Sequence, residues 1–225
     1  MFTGIVEAKG TLQSITRVGQ GAHVRVRTTP AFIKDRVRLG DSIATNGVCL
    51  TATRLYADGY EADLSFESFS LTCFQYYVPG TELNLELACT PNTRLGGHIM
   101  QGHVDGIGTV LERYRVDEAY NIWVQAPENL KRYIAMKGSI AVNGVSLTVN
   151  EVRDRDFRLT LIPHTLSEIA TKFEPGSKVN LEVDVLARYI ERLLQAQQPA
   201  QGAGQRAAQG AESSLLSSLQ QNGFI

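Results

Sequence analysis

The stretch Gly40-Asp41-Ser42-Ile43-Ala44-Thr45-Asn46-Gly47-Val48-Cys49-Leu50-Thr51 returns almost letter for letter as Lys137-Gly138-Ser139-Ile140-Ala141-Val142-Asn143-Gly144-Val145-Ser146-Leu147-Thr148. Each copy predicts a strand, an Asn-Gly turn with positive φ at both central positions, and a returning strand. The match extends outward. Met1-Phe2-Thr3-Gly4-Ile5-Val6-Glu7 aligns with Ile99-Met100-Gln101-Gly102-His103-Val104-Asp105, and Pro79-Gly80 with Pro175-Gly176. The offset drifts by a residue or two, as small loop deletions allow. Units this long are paired domains, since solenoid repeats run to roughly 20–50 residues.

Strand signals dominate each unit. Gly4 to Ile15, His23 to Arg27, Tyr60 to Leu64 and Leu83 to Leu87 alternate around the first hairpin. Gly108 to Glu112, Asn121 to Val124, Phe157 to Ile162 and Val179 to Val183 repeat the series around the second. Short helical segments open at Pro30 and Pro127, where proline suits a helix start. About six short strands per unit, punctuated by turn residues, favour a small closed antiparallel barrel. Turn chemistry at Pro91 to Gly97 sets the expected boundary, giving domains over 1–97 and 98–184.

Beyond Asp184 the period changes. Val185, Leu186, Tyr189, Ile190, Leu193 and Leu194 share one helical face over 185–197, with Asp184 as N-cap. The helix has no counterpart after the first unit. It either folds back on its own domain or pairs with other copies of the chain, and the second reading is preferred. Residues 198–225 form a low-complexity tail, rich in Gln, Ala and Gly at first, with little apolar surface to bury.

Composition narrows the function classes. With 22 basic and 23 acidic residues and a net charge of −1, the chain has no footprint for nucleic acid or a membrane surface. An oligonucleotide-binding barrel would need a basic groove with exposed aromatics, and Trp123 is the single tryptophan. No apolar run approaches the roughly 18 residues of a spanning helix. Three cysteines, Cys49, Cys73 and Cys89, make no disulfide framework, and no signal peptide is evident, so a cytoplasmic setting is expected. No third ligand is spaced to join His98 and His103 around a metal, so no metal or cofactor is expected.

The opening Met1 to Glu7, both Asn-Gly hairpins, Gly96-Gly97-His98 with Gly102-His103-Val104, Lys137-Gly138, and Ile162-Pro163-His164-Thr165-Leu166 together resemble riboflavin synthase. The resemblance covers about residues 1–190, in order. It implies an all-β fold: two tandem six-stranded antiparallel Greek-key barrels, followed by a C-terminal α-helix. It further implies a homotrimer tied by that helix. Each active site would hold two molecules of 6,7-dimethyl-8-ribityllumazine between the first barrel of one subunit and the second barrel of a neighbour. Transfer of a four-carbon unit would give riboflavin and 5-amino-6-(ribitylamino)uracil, and a lumazine synthase is a candidate partner.

Residue by residue, the resemblance assigns catalytic positions to Cys49, His103, Ser42 and Ser146. Cys49 would add reversibly at C7 of the acceptor or orient another nucleophile. A strand cysteine is otherwise most often a small buried hydrophobe. His103 stands where the first unit has Ile5, so the halves are chemically unequal, and imidazole is a suitable proton carrier. His98 reads as structural. Backbone groups of Gly4, Ile5 and Val6, and of Gly102 and Val104, would meet the ring. The matched hydroxyls of Thr51, Ser68, Thr148 and Thr165 would meet the pteridine edge or ribityl chain.

The same resemblance extends substrate contact to Leu50, Asp63, Leu64, Ser65, Phe66 and Glu67 in the first unit. In the second it adds Leu147, Ile162, Pro163, His164, Leu166 and Ser167. Lys137 would offset ring charge, unless it is a solvated surface lysine. Asp184 would approach the ribityl chain, unless it only caps the helix. The rival reading is a non-catalytic lumazine or flavin carrier on the same fold. Such carriers typically lack the Cys49 and His103 pattern.

Overall fold

A computed structural model describes residues 1–197, so the reading of 198–225 as a low-complexity tail lies outside the described residues. The first barrel is built from β1 (Ala8–Val18), β2 (Gly21–Thr28), β3 (Ser42–Thr45), β4 (Val48–Tyr56), β5 (Gly59–Leu64) and β6 (Glu82–Leu87). Its closed antiparallel order is β1-β2-β5-β4-β3-β6. The second uses β7 (Gly106–Val116), β8 (Ala119–Gln125), β9 (Ser139–Val142), β10 (Val145–Arg153), β11 (Asp156–Leu161) and β12 (Lys178–Val183) in the same order. Closure removes the exposed edges that short open sheets would carry.

Bulges fall at matched places: between Leu12 and Ser14 of β1, and between Val110 and Glu112 of β7. A second matched pair interrupts β4 after Ala52 and β10 after Val149. Such insertions sharpen the bend that a small barrel needs. Inward residues fill each interior. Leu12, Val24, Val26, Ile43, Tyr60, Leu83 and Leu85 do so in the first barrel, and Ile122, Val124, Val142, Phe157, Leu159 and Leu181 in the second, all fully buried.

Short helices interrupt the strand series: α1 (Pro30–Ile33), α2 (Phe66–Leu71) and α3 (Pro163–Glu168). The helix expected after Pro127 is a 3-10 segment, Glu128–Tyr133. The C-terminal helix, α4, spans Val185–Gln197; its Leu186, Tyr189, Ile190, Leu193 and Leu194 are each more than half exposed.

The barrels meet through their repeated hairpins. Asn46 and Gly47 have φ of 47° and 79°, and Asn143 and Gly144 have 47° and 78°. A Cβ on Gly47 would stand 2.7 Å from the Gly144 nitrogen, so the tips pack backbone to backbone. Buried asparagines lock the contact. Asn84 donates to the Asn143 carbonyl at 2.9 Å, and Asn180 donates to the Asn46 carbonyl at 2.8 Å. Their side-chain oxygens accept from Ala170 N and Cys73 N respectively. A small apolar cluster of Phe2, Ala44, Met100 and Ala141 lies between the barrels.

One expectation needs correction. The alternating pattern from Gly4 predicts a strand there, but β1 begins at Ala8. Residues 2–6 instead run along the other half: Phe2 bridges Met100, and Gly4 O accepts from Ser146 N at 2.9 Å. Gly4, with φ of 79°, turns the chain out of the barrel line.

Candidate active site

The two units exchange short straps. Val6 packs on the core of barrel two, and Val104 packs on the core of barrel one. Each strap follows a glycine with positive φ, Gly4 at 79° and Gly102 at 77°. The carbonyl of Gly102 accepts from Cys49 N at 2.9 Å, matching the Gly4–Ser146 bond. A Cβ on Gly102 would lie 2.7 Å from Cys49 Cβ, and one on Gly4 would lie 2.5 Å from Ser146 Cβ. Each barrel's hairpin residue, thiol or hydroxyl, is therefore faced by a strap from the opposite repeat.

In barrel one this produces a cavity of about 420 Å³. Val48 and Cys49 form one wall, Glu67, Ser68 and Leu71 of α2 with Thr72 a second, and Gly102, His103 and Val104 the third. Ligand pockets commonly measure about 300–1,000 Å³. Cys49 is half-buried with a free thiol, and His103 is exposed at the rim. Ser65 caps α2 by accepting from Ser68 N at 3.0 Å, which fixes the wall carrying Ser68.

At the corresponding place in barrel two, Ser146 Oγ lies 2.7 Å from His98 Nδ1. Burial pushes the His98 pKa below the ordinary imidazole value, against a smaller upward pull from Asp184. Its Nε2 is buried without a hydrogen-bond partner. His98, read as structural, is buried and paired with the candidate hydroxyl of Ser146. Two carboxylates escaped the sequence reading altogether. Glu86 accepts from Thr3 N at 2.6 Å and Gly4 N at 3.0 Å; Glu182 accepts from Gln101 N at 2.6 Å and Gly102 N at 3.1 Å. The sequence signal was there: an acidic residue between apolar neighbours at matched places in two strands.

Not every expected residue joins these cavities. Ser42 opens into a separate cleft of about 710 Å³ with Thr3, Ile5, Arg36 and Cys89. Leu50 and Leu64 point into the core of barrel one, while Leu147 and Leu166 pack on that of barrel two. Asp63 pairs with His23 at 2.7 Å on β5. Phe66, 58% exposed, borders a different groove with Arg17 and Phe69. Thr51, Thr148 and Lys137 are exposed, and Lys137 takes a φ of 67° at the turn into β9. Ile162, Pro163 and His164 are exposed at the start of α3, with Thr165 half-buried after them. The Ser167 carbonyl accepts from Lys9 Nζ at 2.6 Å. Asp184, half-buried, ends the run after β12. Among the described residues no three His, Cys, Asp or Glu side chains are grouped to hold a metal. No helix among them is long and apolar enough to cross a membrane.

Two closed six-stranded barrels built from one repeat place the chain in the class of duplicated lumazine-binding proteins. The family model of the lumazine binding domain matches twice, over residues 3–88 and 101–184. The structure of LumP complexed with riboflavin superposes with a TM-score of 0.73 at 27% identity, covering 81% of this chain and 99% of that one. The riboflavin synthase of Photobacterium phosphoreum is 50% identical over 200 residues, 88% of this chain and 91% of that relative. The riboflavin synthase of Photobacterium leiognathi is 48% identical over 195 residues, 86% of this chain and 89% of that one. The chain belongs to the riboflavin synthase family, and it is an enzyme of the transferase class.

Proposed function

We propose that this chain converts two molecules of 6,7-dimethyl-8-ribityllumazine into riboflavin and 5-amino-6-(ribitylamino)uracil. The observation that carries the reading is the Cys49 cavity, closed by the His103 strap and large enough for one bicyclic ring. One lumazine gives up a four-carbon unit and the other accepts it, so the redox change is internal to the pair. Holding two reactants face to face supplies much of the rate, roughly 7–11 kcal/mol in well-oriented intramolecular systems. Cys49 adds to C7 of the acceptor or orients the group that does. His103 moves the proton of the acidic 7-methyl group. Ser146, hydrogen-bonded with His98, offers a second hydroxyl at the other mouth. Ser42 contributes from its own cleft once a second copy faces it.

The full site is then a composite of two subunits, barrel one of one copy meeting barrel two of another. The exposed apolar stripe of α4 supports a homotrimer tied by that helix. Deleting residues 185–225 should give monomers in sedimentation. Association with a lumazine synthase would deliver substrate directly, and a cytoplasmic location suits three free thiols. The direct test is to add the lumazine to purified protein and follow flavin absorbance and fluorescence. Appearance of riboflavin supports the enzyme; binding without turnover supports the carrier.

A further inference from the structure

Glu86 and Glu182 are each only 5% exposed, although burying a carboxylate costs heavily unless it is hydrogen-bonded. Their partners are strap amides, with the Thr3 hydroxyl added to Glu86 at 2.7 Å. Each strap is thereby held on both sides. Glu182 of β12 accepts its N–H groups, while Cys49 N of β4 donates to its Gly102 carbonyl. Glu86 of β6 and Ser146 N hold the other strap in the same way. The strap leaves the barrel that clasps it and walls the mouth of the other.

We propose that Glu86 and Glu182 are positioning residues that act across the barrel boundary. Glu182, on barrel two, sets the His103–Val104 wall of the Cys49 cavity in barrel one. Glu86, on barrel one, sets the Ile5–Val6 strap beside Ser146 in barrel two. A glutamine in either place keeps the shape but turns an NH2 group toward a backbone N–H. That substitution replaces an acceptor with a donor facing a donor, whichever protonation state the carboxyl holds, and costs about tenfold in strap closure.

The test uses the full chain. Iodoacetamide labelling, read by peptide mass spectrometry, reports Cys49 without any ligand. Glu182→Gln should speed Cys49 labelling about tenfold, the closure factor just given, whereas Glu86→Gln should leave it unchanged. When the thiol is moved by the exchange Cys49→Ser with Ser146→Cys, the pattern should reverse. Equal responses to both variants, or no response to either, would overturn the proposal. A second arm rests on the lumazine reading: protection of Cys49 by 6,7-dimethyl-8-ribityllumazine should need about tenfold more ligand in Glu182→Gln. If wild-type protein shows no protection while the crossed labelling pattern holds, the substrate reading fails and the clasp stands. Should Glu182→Gln not fold, amide hydrogen exchange on wild-type protein decides. Gln101 and Gly102 should be as protected as β12, and exchange at the rate of an exposed loop would refute the clasp.

Discussion

Barrel one and barrel two share a strand order, a pair of bulges, an Asn-Gly tip and a buried glutamate under an exchanged strap. They part company at the mouth. Barrel one presents a thiol, Cys49, faced by a strap that carries His103; barrel two presents a hydroxyl, Ser146, faced by a strap that carries Ile5 and backed by His98. After duplication the backbone devices stayed, because each one satisfies buried polar groups that would otherwise cost stability. The side chains at the mouth were free to diverge. A reaction in which one molecule donates and its twin accepts needs this inequality.

The largest effect should come from removing the thiol. Cys49→Ala is expected to lower kcat by about 100-fold or more, the scale of a lost acid–base or nucleophilic group. Lumazine affinity should change far less, since walls formed by α2 and the strap remain. Ser146→Ala should lose less turnover, because its partner His98 and the strap carbonyl survive. Steady-state kinetics with direct binding separates the two. Wild-type kcat in Cys49→Ala would remove the thiol from the mechanism and with it the sharpest difference between the barrels.

Much of this was legible beforehand, and the reason is local. The Asn46-Gly47 and Asn143-Gly144 tips, the alternation in β2 and β11, and the period change at Val185 are short-range patterns. They are fixed by turn chemistry and side-chain direction. What stayed hidden depends on long-range pairing. Gly4 to Val6 reads as the start of β1 because it alternates, and only Glu86 and Ser146, far along the chain, capture it. The partner of His98 was hidden because Ser146 lies 48 residues away. Ser42 and Cys49 sit on adjacent strands of one hairpin, yet they open into different cavities, one lined by Thr3 and Ile5 and the other by His103 and Val104. Leu50 and Leu64 were named with their neighbours, but barrel closure turns both inward.

A second effect, smaller than the loss of the thiol, tests whether the barrels are joined symmetrically. Asn180→Ala strips an acceptor from Cys73 N and a donor from the Asn46 carbonyl. Asn84→Ala does the same to Ala170 N and the Asn143 carbonyl. Each leaves buried backbone groups unpaired, at about 1–3 kcal/mol per group. Urea unfolding should therefore show similar losses of about 2 kcal/mol or more for both. A large loss for one and none for the other would show that one hairpin tip alone carries the junction.

The effect smallest per step of the measurement is a slope with pH, and it probes the two glutamates by charge. Burial pushes Glu182 up to about 7 from an ordinary 4.5, helped by Asp105 and opposed by amides of Gln101, Gly102 and His103. Glu86 is also raised by burial, with Glu7 adding to the rise and the Thr3 and Gly4 bonds opposing it. Between pH 4.5 and about 7 the folded chain keeps the Glu182 proton that the unfolded chain has lost. That contribution is therefore complete below 4.5 and declines as pH rises through 7, by at most about 1.4 kcal/mol per pH unit. Subtracting the unfolding free energy of Glu182→Gln from that of wild type should isolate the decline, flat on either side of the window. The Glu86→Gln difference should fall in the same direction from the same starting pH. A difference that grows with pH would mean that the strap amides outweigh burial and hold the carboxylate ionised, which would strengthen the clasp at neutral pH.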